Sequence, residues 1–351
     1  MISMSRRTTV RIGMLGAGKM ALWHLRAYRR IPGAEVMAIC NPKSARGLDF
    51  ARRFGIKNHF QDPCELFKAP DLDAVDICTP TGSHAALIRQ ALDRGLNVYV
   101  EKPMCGTLDE ADQIVSLNRE KKKIVFVGFN YRFCREFLRI RDILRSGELG
   151  DVRFFLIVRG TVVSGDYHIF DPRSFSGTIN EFTSTSVDLL RWWGFKDIED
   201  VYAGGANVLP QTPAPDTVGV TLRLRGGIAA VLVNSYAMPS LATEVVILGS
   251  RKMLRLRYGK VMVQTLPDSW SIPLLLWRTF RESLVIPYRI LYNPCRGSCR
   301  YFVECVRRGQ SPVPDEIEGR ENMRVCSLIL ESCTSGKGVP IPVVREGDPP
   351  Q

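Results

Sequence analysis

The chain has no run of about 18 uninterrupted apolar residues, so no membrane-spanning helix is expected. Its start, Met1 to Thr9, carries Arg6 and Arg7 but no apolar stretch followed by a small-residue cleavage site. A secretory signal is therefore not expected, and the chain reads as cytoplasmic. No Cys-x-x-Cys pair occurs among the ten cysteines, and only four histidines are present. Cys295, Cys299 and Cys305 lie close together but without a nearby histidine or a second pair, so no metal site is expected. Scattered cysteines inside apolar runs read as buried, reduced thiols. Acidic side chains are in deficit: 36 Asp and Glu face 48 Lys and Arg, a net charge of +12. Residues 251–308 hold much of that excess, with twelve basic and three acidic side chains. Such a surface favours anions, whether nucleotides, sugar phosphates, nucleic acid or an acidic membrane face, or it is simply a solvated face. No helix-turn-helix, zinc-finger or aromatic RNP pattern is found, so a nucleic-acid partner is not expected. Internal repeats and low-complexity segments are also missing.

What is present fits packed domains. Hydrophobic residues make up 45% and charged residues 24%, which excludes disorder and a small disulfide scaffold. The 351 residues correspond to roughly two domains at about 150 residues each. Through the first half, short β-branched runs alternate with amphipathic stretches. Strands are expected at 10–15, 35–40, 74–78, 97–100 and 124–127, and helices at 19–30, 44–54, 84–94, 108–122 and 135–146. That alternation predicts a parallel sheet with helices on both faces. Beyond Gly150, strands at 152–158, 218–224, 228–234, 244–248 and 261–265 follow without helices between them. A largely antiparallel second sheet is expected, with a hairpin at Gly226-Gly227. One helix is embedded in it at 180–193, and helical patterns recur at 300–308 and 319–332. The apolar, arginine-bearing stretch Trp270 to Tyr292 reads as a lid or subunit contact rather than a membrane-touching segment.

Gly16-Ala17-Gly18-Lys19-Met20-Ala21 follows the first strand and opens a helix. Gly16 permits the tight turn, Gly18 leaves room for a pyrophosphate, and Ala21 lets the helix pack closely. The second strand ends in Asn41-Pro42-Lys43-Ser44, where a carboxylate would hold the ribose of NAD and repel a 2′-phosphate. Asn41, Lys43, Ser44 and Arg46 favour NADP slightly over NAD. Glu101-Lys102-Pro103 ends another strand, which puts Lys102 at the carboxyl edge of the sheet. An ammonium there orients a hydroxyl, polarises a carbonyl or relays a proton.

In order along the chain, Gly16-Ala17-Gly18, Cys78-Thr79-Pro80 with His84, Glu101-Lys102-Pro103 and Gly128-Phe129-Asn130-Tyr131-Arg132-Phe133 resemble the glucose–fructose oxidoreductase/inositol dehydrogenase (Gfo/Idh/MocA) family. Gly147-Glu148-Leu149-Gly150 resembles its domain junction, and Asp216-Thr217 and residues 302–341 its later segments. The resemblance covers nearly the whole chain. It implies an α/β protein with a Rossmann domain over 1–130. A second α/β domain with a large, mostly antiparallel open sheet would occupy 131–351, residues 318–343 packing back on the first. It implies nicotinamide-linked oxidation or reduction of sugars, cyclitols or nucleotide-sugar-like compounds in a homo-oligomer, dimer or tetramer. Gly16, Ala17, Gly18, Lys19, Met20, Asn41, Lys43, Ser44, Thr79, Pro80, His84, Glu101, Lys102 and Asn130 would contact the cofactor. Lys102, Arg132, Glu181, Thr185 and Asp188 would contact the substrate.

One departure stands out. The family's second-domain helix reads Gly-Gly-Gly-x-x-x-Asp-x-Gly-x-His-x-x-Asp. Counted back from Asp188, its histidine falls on Thr185 and its first aspartate on Glu181. Threonine hydrogen-bonds a substrate oxygen but carries no proton at neutral pH. Three readings follow: Lys102 acts alone, Tyr167 or His168 substitutes, or the chain binds a dinucleotide without redox turnover. An NAD-assisted elimination or hydrolysis of glycosides is a further alternative.

Overall fold

The computed structural model describes residues 9–161, 177–210, 212–238, 243–257, 259–265 and 295–341. The sequence candidates Tyr167, His168 and the stretch 270–292 lie outside these residues. The chain divides into two units, residues 1–133 with 293–324, and 134–292 with 325–351. The first break falls three residues beyond the boundary expected at 130. Of the stretch 318–343, residues to Arg324 group with the first unit and the rest with the second.

The first unit is built on β1 (Val10–Leu15), β2 (Ala34–Cys40), β3 (Asn58–Phe60), β4 (Ala74–Ile77), β5 (Asn97–Val100) and β6 (Val125–Val127). They form a parallel sheet in the order β3-β2-β1-β4-β5-β6, the doubly wound arrangement. Strands β1, β4, β5 and β6 are buried over nearly every residue, so they read as continuous apolar runs rather than alternating ones. The connecting helices are α1 (Lys19–Tyr28), α2 (Ser44–Phe54), α3 (Pro63–Phe67), α4 (His84–Asp93) and α5 (Leu108–Lys121). Thr107 caps α5 by accepting from the Glu110 N–H, while Glu110 returns to the Thr107 N–H. A later helix, α8 (Arg296–Arg308, numbered after the two helices of the second unit), also packs here. Its Phe302 and Tyr301 join Tyr99, Phe126 and Phe133 in a cluster of ring contacts, each pair contributing about 0.5–1.5 kcal/mol.

The second unit contains α6 (Arg135–Arg145), β7 (Val152–Gly160), α7 (Ser184–Trp192), β8 (Ile198–Ala206), β9 (Thr217–Leu224), β10 (Ile228–Ser235), β11 (Thr243–Gly249), β12 (Lys252–Arg257), β13 (Lys260–Thr265) and β14 (Val339–Pro340). The sheet order is β13-β12-β11-β7-β10-β9-β8-β14. β7 and β10 pair in parallel, and the other pairs are antiparallel. Gly226 and Gly227 turn β9 into β10 with φ of +83° and +74°, values that favour glycine. Phe155, Ile157, Ala230, Leu232, Val245 and Ile247 are buried on one face. Trp193 stacks on Phe155 of that face and on Phe137 of α6, so the Trp192-Trp193 pair serves packing. The last helix, α9 (Glu316–Ser335), bonds the sheet edge through Ser332, which accepts from the Ala203 N–H.

Candidate active site

Parallel register gathers the motifs of the first unit into one row. Leu15 lies beside Cys40 and Ile77, Ile77 beside Val100, and Val100 beside Val127. The residues just past these strand ends, namely Gly16, Asn41, Cys78, Glu101 and Gly128, therefore share the carboxyl edge of the sheet. Ligands of doubly wound sheets bind at that edge.

Gly16 has φ of +104°, and a Cβ there would stand 2.5 Å from the Cys78 carbonyl oxygen. Only glycine fits. A Cβ on Gly18 would meet nothing within 4 Å, so this position opens on free space at the start of α1. The helix has no acidic residue in its first turn, and its leading N–H groups lack helical acceptors. Free space, unpaired donors and a positive helix end make a cradle suited to a diphosphate. At the end of β2, Asn41 Oδ1 accepts from the Lys43 N–H at 3.0 Å, while the Lys43 and Arg46 side chains are exposed.

His84 is buried, its ring nitrogens 2.9 Å from the carbonyl oxygens of Pro103 and Thr79. Burial lowers its pKa against the pull of those two carbonyls. This residue, expected at the cofactor, acts as a brace between the Thr79-Pro80 loop and the Glu101-Lys102-Pro103 turn. Arg132, expected at the substrate, is 3% exposed and pairs with Glu318 at 3.1 Å, which ties its guanidinium to the start of α9.

Glu101 is buried, 6% exposed, and its carboxylate has several partners. Its Oε1 lies 3.0 Å from His24 Nε2 and accepts from Asn130 Nδ2 at 3.0 Å. Its Oε2 accepts from the Lys102 backbone N–H at 3.3 Å. Asn130 in turn accepts from Tyr99 at 2.9 Å and from Ser298. Behind Glu101 the other imidazole nitrogen of His24 lies 2.8 Å from Asp76 Oδ2, which also accepts from the Tyr28 hydroxyl at 2.8 Å. His24 and Asp76 are fully buried. Burial acts to remove the His24 proton, but the Asp76 carboxylate, with smaller help from Cys78 and Cys299, holds its pKa well above the usual imidazole value. His24, Asp76 and Cys78 also have ligand atoms within 4.8 Å of one another. The 2.8 Å His24–Asp76 contact has the length of a hydrogen bond.

In the second unit, a five-residue π-helical turn, Ile179–Thr183, runs into α7. Such turns recur at functional sites. Glu181, on this turn, accepts from the Tyr236 hydroxyl at 2.6 Å, and Tyr236 stacks on Phe182. Thr185 and Asp188 are buried, 3% and 1% exposed. Nearby, Thr183 Oγ1 and Asn234 Nδ2 are buried without a hydrogen-bond partner among the described residues.

His24, Asp76, Ser298 and Tyr236 were not singled out from the sequence. One signal was available: Asp76 interrupts a buried apolar strand, and a buried carboxylate requires partners.

A parallel sheet with a glycine cradle and a lysine at its carboxyl edge, joined to an eight-stranded sheet, defines a dinucleotide-binding α/β class. Comparison with known proteins agrees. The model of the oxidoreductase family with NAD-binding Rossmann fold matches residues 10–129, and that of the GFO/IDH/MocA C-terminal domain matches 137–255. The chain belongs to the GFO/IDH/MocA oxidoreductase family. It is 26% identical over 348 residues to scyllo-inositol 2-dehydrogenase (NAD(+)) of Bacillus subtilis (strain 168), covering 96% of this chain and 97% of that protein. It is 30% identical over 227 residues to the uncharacterized oxidoreductase YrbE of the same strain, covering 64% of this chain and 66% of that one. Among solved structures, levoglucosan dehydrogenase in complex with NADH and levoglucosan superposes with a TM-score of 0.83 at 19% identity. That match covers 95% of this chain and all of the other, and it is a likeness of fold.

Proposed function

We propose that the protein is an NAD(P)-dependent oxidoreductase acting on a secondary alcohol or ketone of a sugar, cyclitol or related compound. The observation that carries this reading is the single row formed by the Gly16–Ala21 cradle and Lys102. When bound, the nicotinamide supplies or accepts the hydride. Gly16, Ala17, Gly18, Lys19 and Met20 hold the diphosphate with backbone N–H groups. The Thr79-Pro80 loop and Asn130 border the same edge. Lys102 donates a hydrogen bond to the reacting oxygen and holds or receives its proton at Nζ. Glu181, Thr185 and Asp188 orient substrate hydroxyls, with Thr185 accepting or donating a hydrogen bond where the family pattern has histidine.

The end of β2 carries no carboxylate, and Lys43 and Arg46 stand exposed nearby, which supports acceptance of NADP(H) beside NAD(H). Titration with NADH and NADPH by intrinsic fluorescence, followed by a panel of polyols and keto-sugars read at the reduced-nicotinamide absorbance, tests both points. Saturable binding and turnover of at least one cyclic polyol are expected. A protein that binds neither dinucleotide would sink the reading.

The open face of the second sheet supports a homo-oligomer. Register sets Ala229, Phe154 and Leu248 in one row and Val231, Leu156 and Val246 in the next, all part-exposed. An apolar surface of this kind marks an association site. Light scattering is expected to give a dimer or tetramer, and a monomer at micromolar concentration would exclude it. Among the described residues no helix is long and apolar enough to cross a membrane. All ten cysteines are free thiols, which supports a cytoplasmic location that cell fractionation tests.

A further inference from the structure

The helices of the first unit form two layers, and the layers carry charge differently. Helices α3, α4 and α5 share one buried core and α1, α2 and α8 the other, on opposite faces of the sheet. On the first layer cations meet partners. Lys68 pairs with Glu65 at 2.9 Å and Lys121 with Asp93 at 2.8 Å, and Arg89 donates to Gln113 at 2.7 Å. On the second layer Arg29-Arg30 follow α1, Arg52-Arg53 lie in the last turn of α2, and Arg307-Arg308 in that of α8. All six are exposed, and none forms an ion pair among the described residues. The acidic side chains of these segments, Glu35, Asp49 and Glu304, are exposed and form none either.

The three pairs share one edge. α1 and α2 each lead into the start of a strand, so their ends lie at the amino edge of the sheet, opposite the edge that carries Gly16. α8 begins beside Asn130 and Phe133, past the carboxyl end of β6. It runs 13 residues along the same face as α1, about 20 Å, and so ends at the amino edge too. Arg29 and Arg53 stand over the one Phe54 ring, at 6.0 and 5.4 Å from its centre. The helix dipole favours a cation at each helix end. It does not account for six guanidiniums on three neighbouring ends with no carboxylate drawn in among them.

We propose that this arginine edge is a docking surface for an anionic lipid bilayer, to which the protein binds peripherally through the headgroups. Guanidinium stays charged at any physiological pH and grips a phosphate through two parallel N–H bonds. Clusters of about four to eight basic side chains on one face are what anionic leaflets attract, each strengthening binding about fivefold. The edge lacks what other anionic partners use. Phe54 is covered by two guanidiniums, so it is not open to a stacked base. No large apolar side chain is exposed on the last turns of these helices or in the residues that follow them to Ala34, Asn58 and Gln310. The apolar centre of a stable protein interface is therefore missing here.

The test is co-sedimentation of the whole protein with phosphatidylcholine vesicles, plain or carrying about 30 mol% phosphatidylserine, at about 50 and about 200 mM salt. Binding to the anionic vesicles at the lower salt is expected, about tenfold weaker at the higher, with none to plain vesicles. Arg52→Gln/Arg53→Gln is expected to weaken it about tenfold or more, and neutralising all three pairs to abolish it. Arg52→Lys/Arg53→Lys keeps the charge and is expected to stay within about threefold of the parent. Arg139→Gln/Arg145→Gln removes the same charge from exposed sites on α6 and is expected to change binding less than about twofold. Melting temperatures verify folding, and if one pair variant unfolds, the other two pairs carry the test. Absence of binding to anionic vesicles at low salt overturns the proposal. So does an equal loss in the α6 variant, which would reduce the effect to net charge. An oligonucleotide of about 20 nucleotides that binds more tightly than the vesicles, with the same dependence on the pairs, would assign the edge to nucleic acid instead. No dinucleotide or polyol enters the readout, so the result stands apart from the oxidoreductase reading.

Discussion

Replacing Lys102 with methionine is expected to lower kcat by about 10²–10⁴-fold, the usual range for losing a positioned proton carrier. Affinity for NADH is expected to stay within a few-fold of the parent, because the cradle proposed for the diphosphate, at the Gly16 turn, lies two strands away. Methionine matches the length of the lysine stem and removes only the amine. Lys102→Arg separates charge from proton transfer. A guanidinium keeps the positive charge and the hydrogen-bond donors but does not release a proton near neutral pH. If Lys102 only polarises the reacting oxygen, the arginine variant recovers much of the rate. If it also moves the proton, that variant stays near the methionine level, which is the expected result. Steady-state kinetics of the two variants on one active polyol, with NADH affinity measured separately, decide the matter. Parent-like kcat in Lys102→Met would remove the lysine from the mechanism.

The first unit was legible for a physical reason. Each of its motifs directly follows a strand end, and parallel pairing turns such positions into a single edge whatever the details of packing. Strands β1 and β5 and helix α2 lie at the expected residues, and other boundaries moved by a few positions. The missed elements have weak local signals. β3 and α3 are three and five residues long. β8 ends in Gly204-Gly205, residues with little strand preference. β12 alternates as Leu254, Arg255, Leu256, Arg257, a period of two that its basic charge obscured. The first residues of α8, Arg296 to Cys299, carry no conspicuous helix-start signal, yet Cys299 is fully buried. The His24 cluster was illegible for another reason. It draws on α1, β4, β5 and α8, four segments that no short-range pattern connects, and only the tertiary fold shows that His24 and Glu101 meet. Arg132 illustrates the same limit, because its partner Glu318 lies 186 positions along the chain.

The two glycines of the first turn are expected to fail in opposite ways. Gly16→Ala puts a Cβ 2.5 Å from the Cys78 carbonyl oxygen at a φ of +104°. The obstructing atom is backbone and cannot swing aside. Cys78 is itself tied to Leu15, and Gly16 to Cys40, by 2.8 Å backbone bonds. The strands must part, at a cost of about 1–3 kcal/mol for overpacking and about 1–2 kcal/mol for the left-handed φ. A lower melting temperature is expected, with cofactor affinity lost as a consequence of the disturbed turn. Gly18→Asp meets nothing within 4 Å and sits at the N-cap of α1 with extended backbone, φ −86° and ψ −170°. Aspartate is a favoured N-cap, worth a few tenths of a kcal/mol over glycine, so the melting temperature is expected to hold or rise slightly. The same carboxylate would occupy the helix N-terminus that is proposed to bind the diphosphate. Dinucleotide affinity is therefore expected to fall by about 100-fold or more, nearly 3 kcal/mol. Calorimetric melting and NADH titration of both variants separate the effects. A Gly18→Asp protein that melts like the parent and still binds NADH at parental affinity would mean that the anion is held elsewhere. The assignment of the Gly16–Ala21 turn as the cofactor cradle would then fall, and with it the argument that Lys102 faces a nicotinamide.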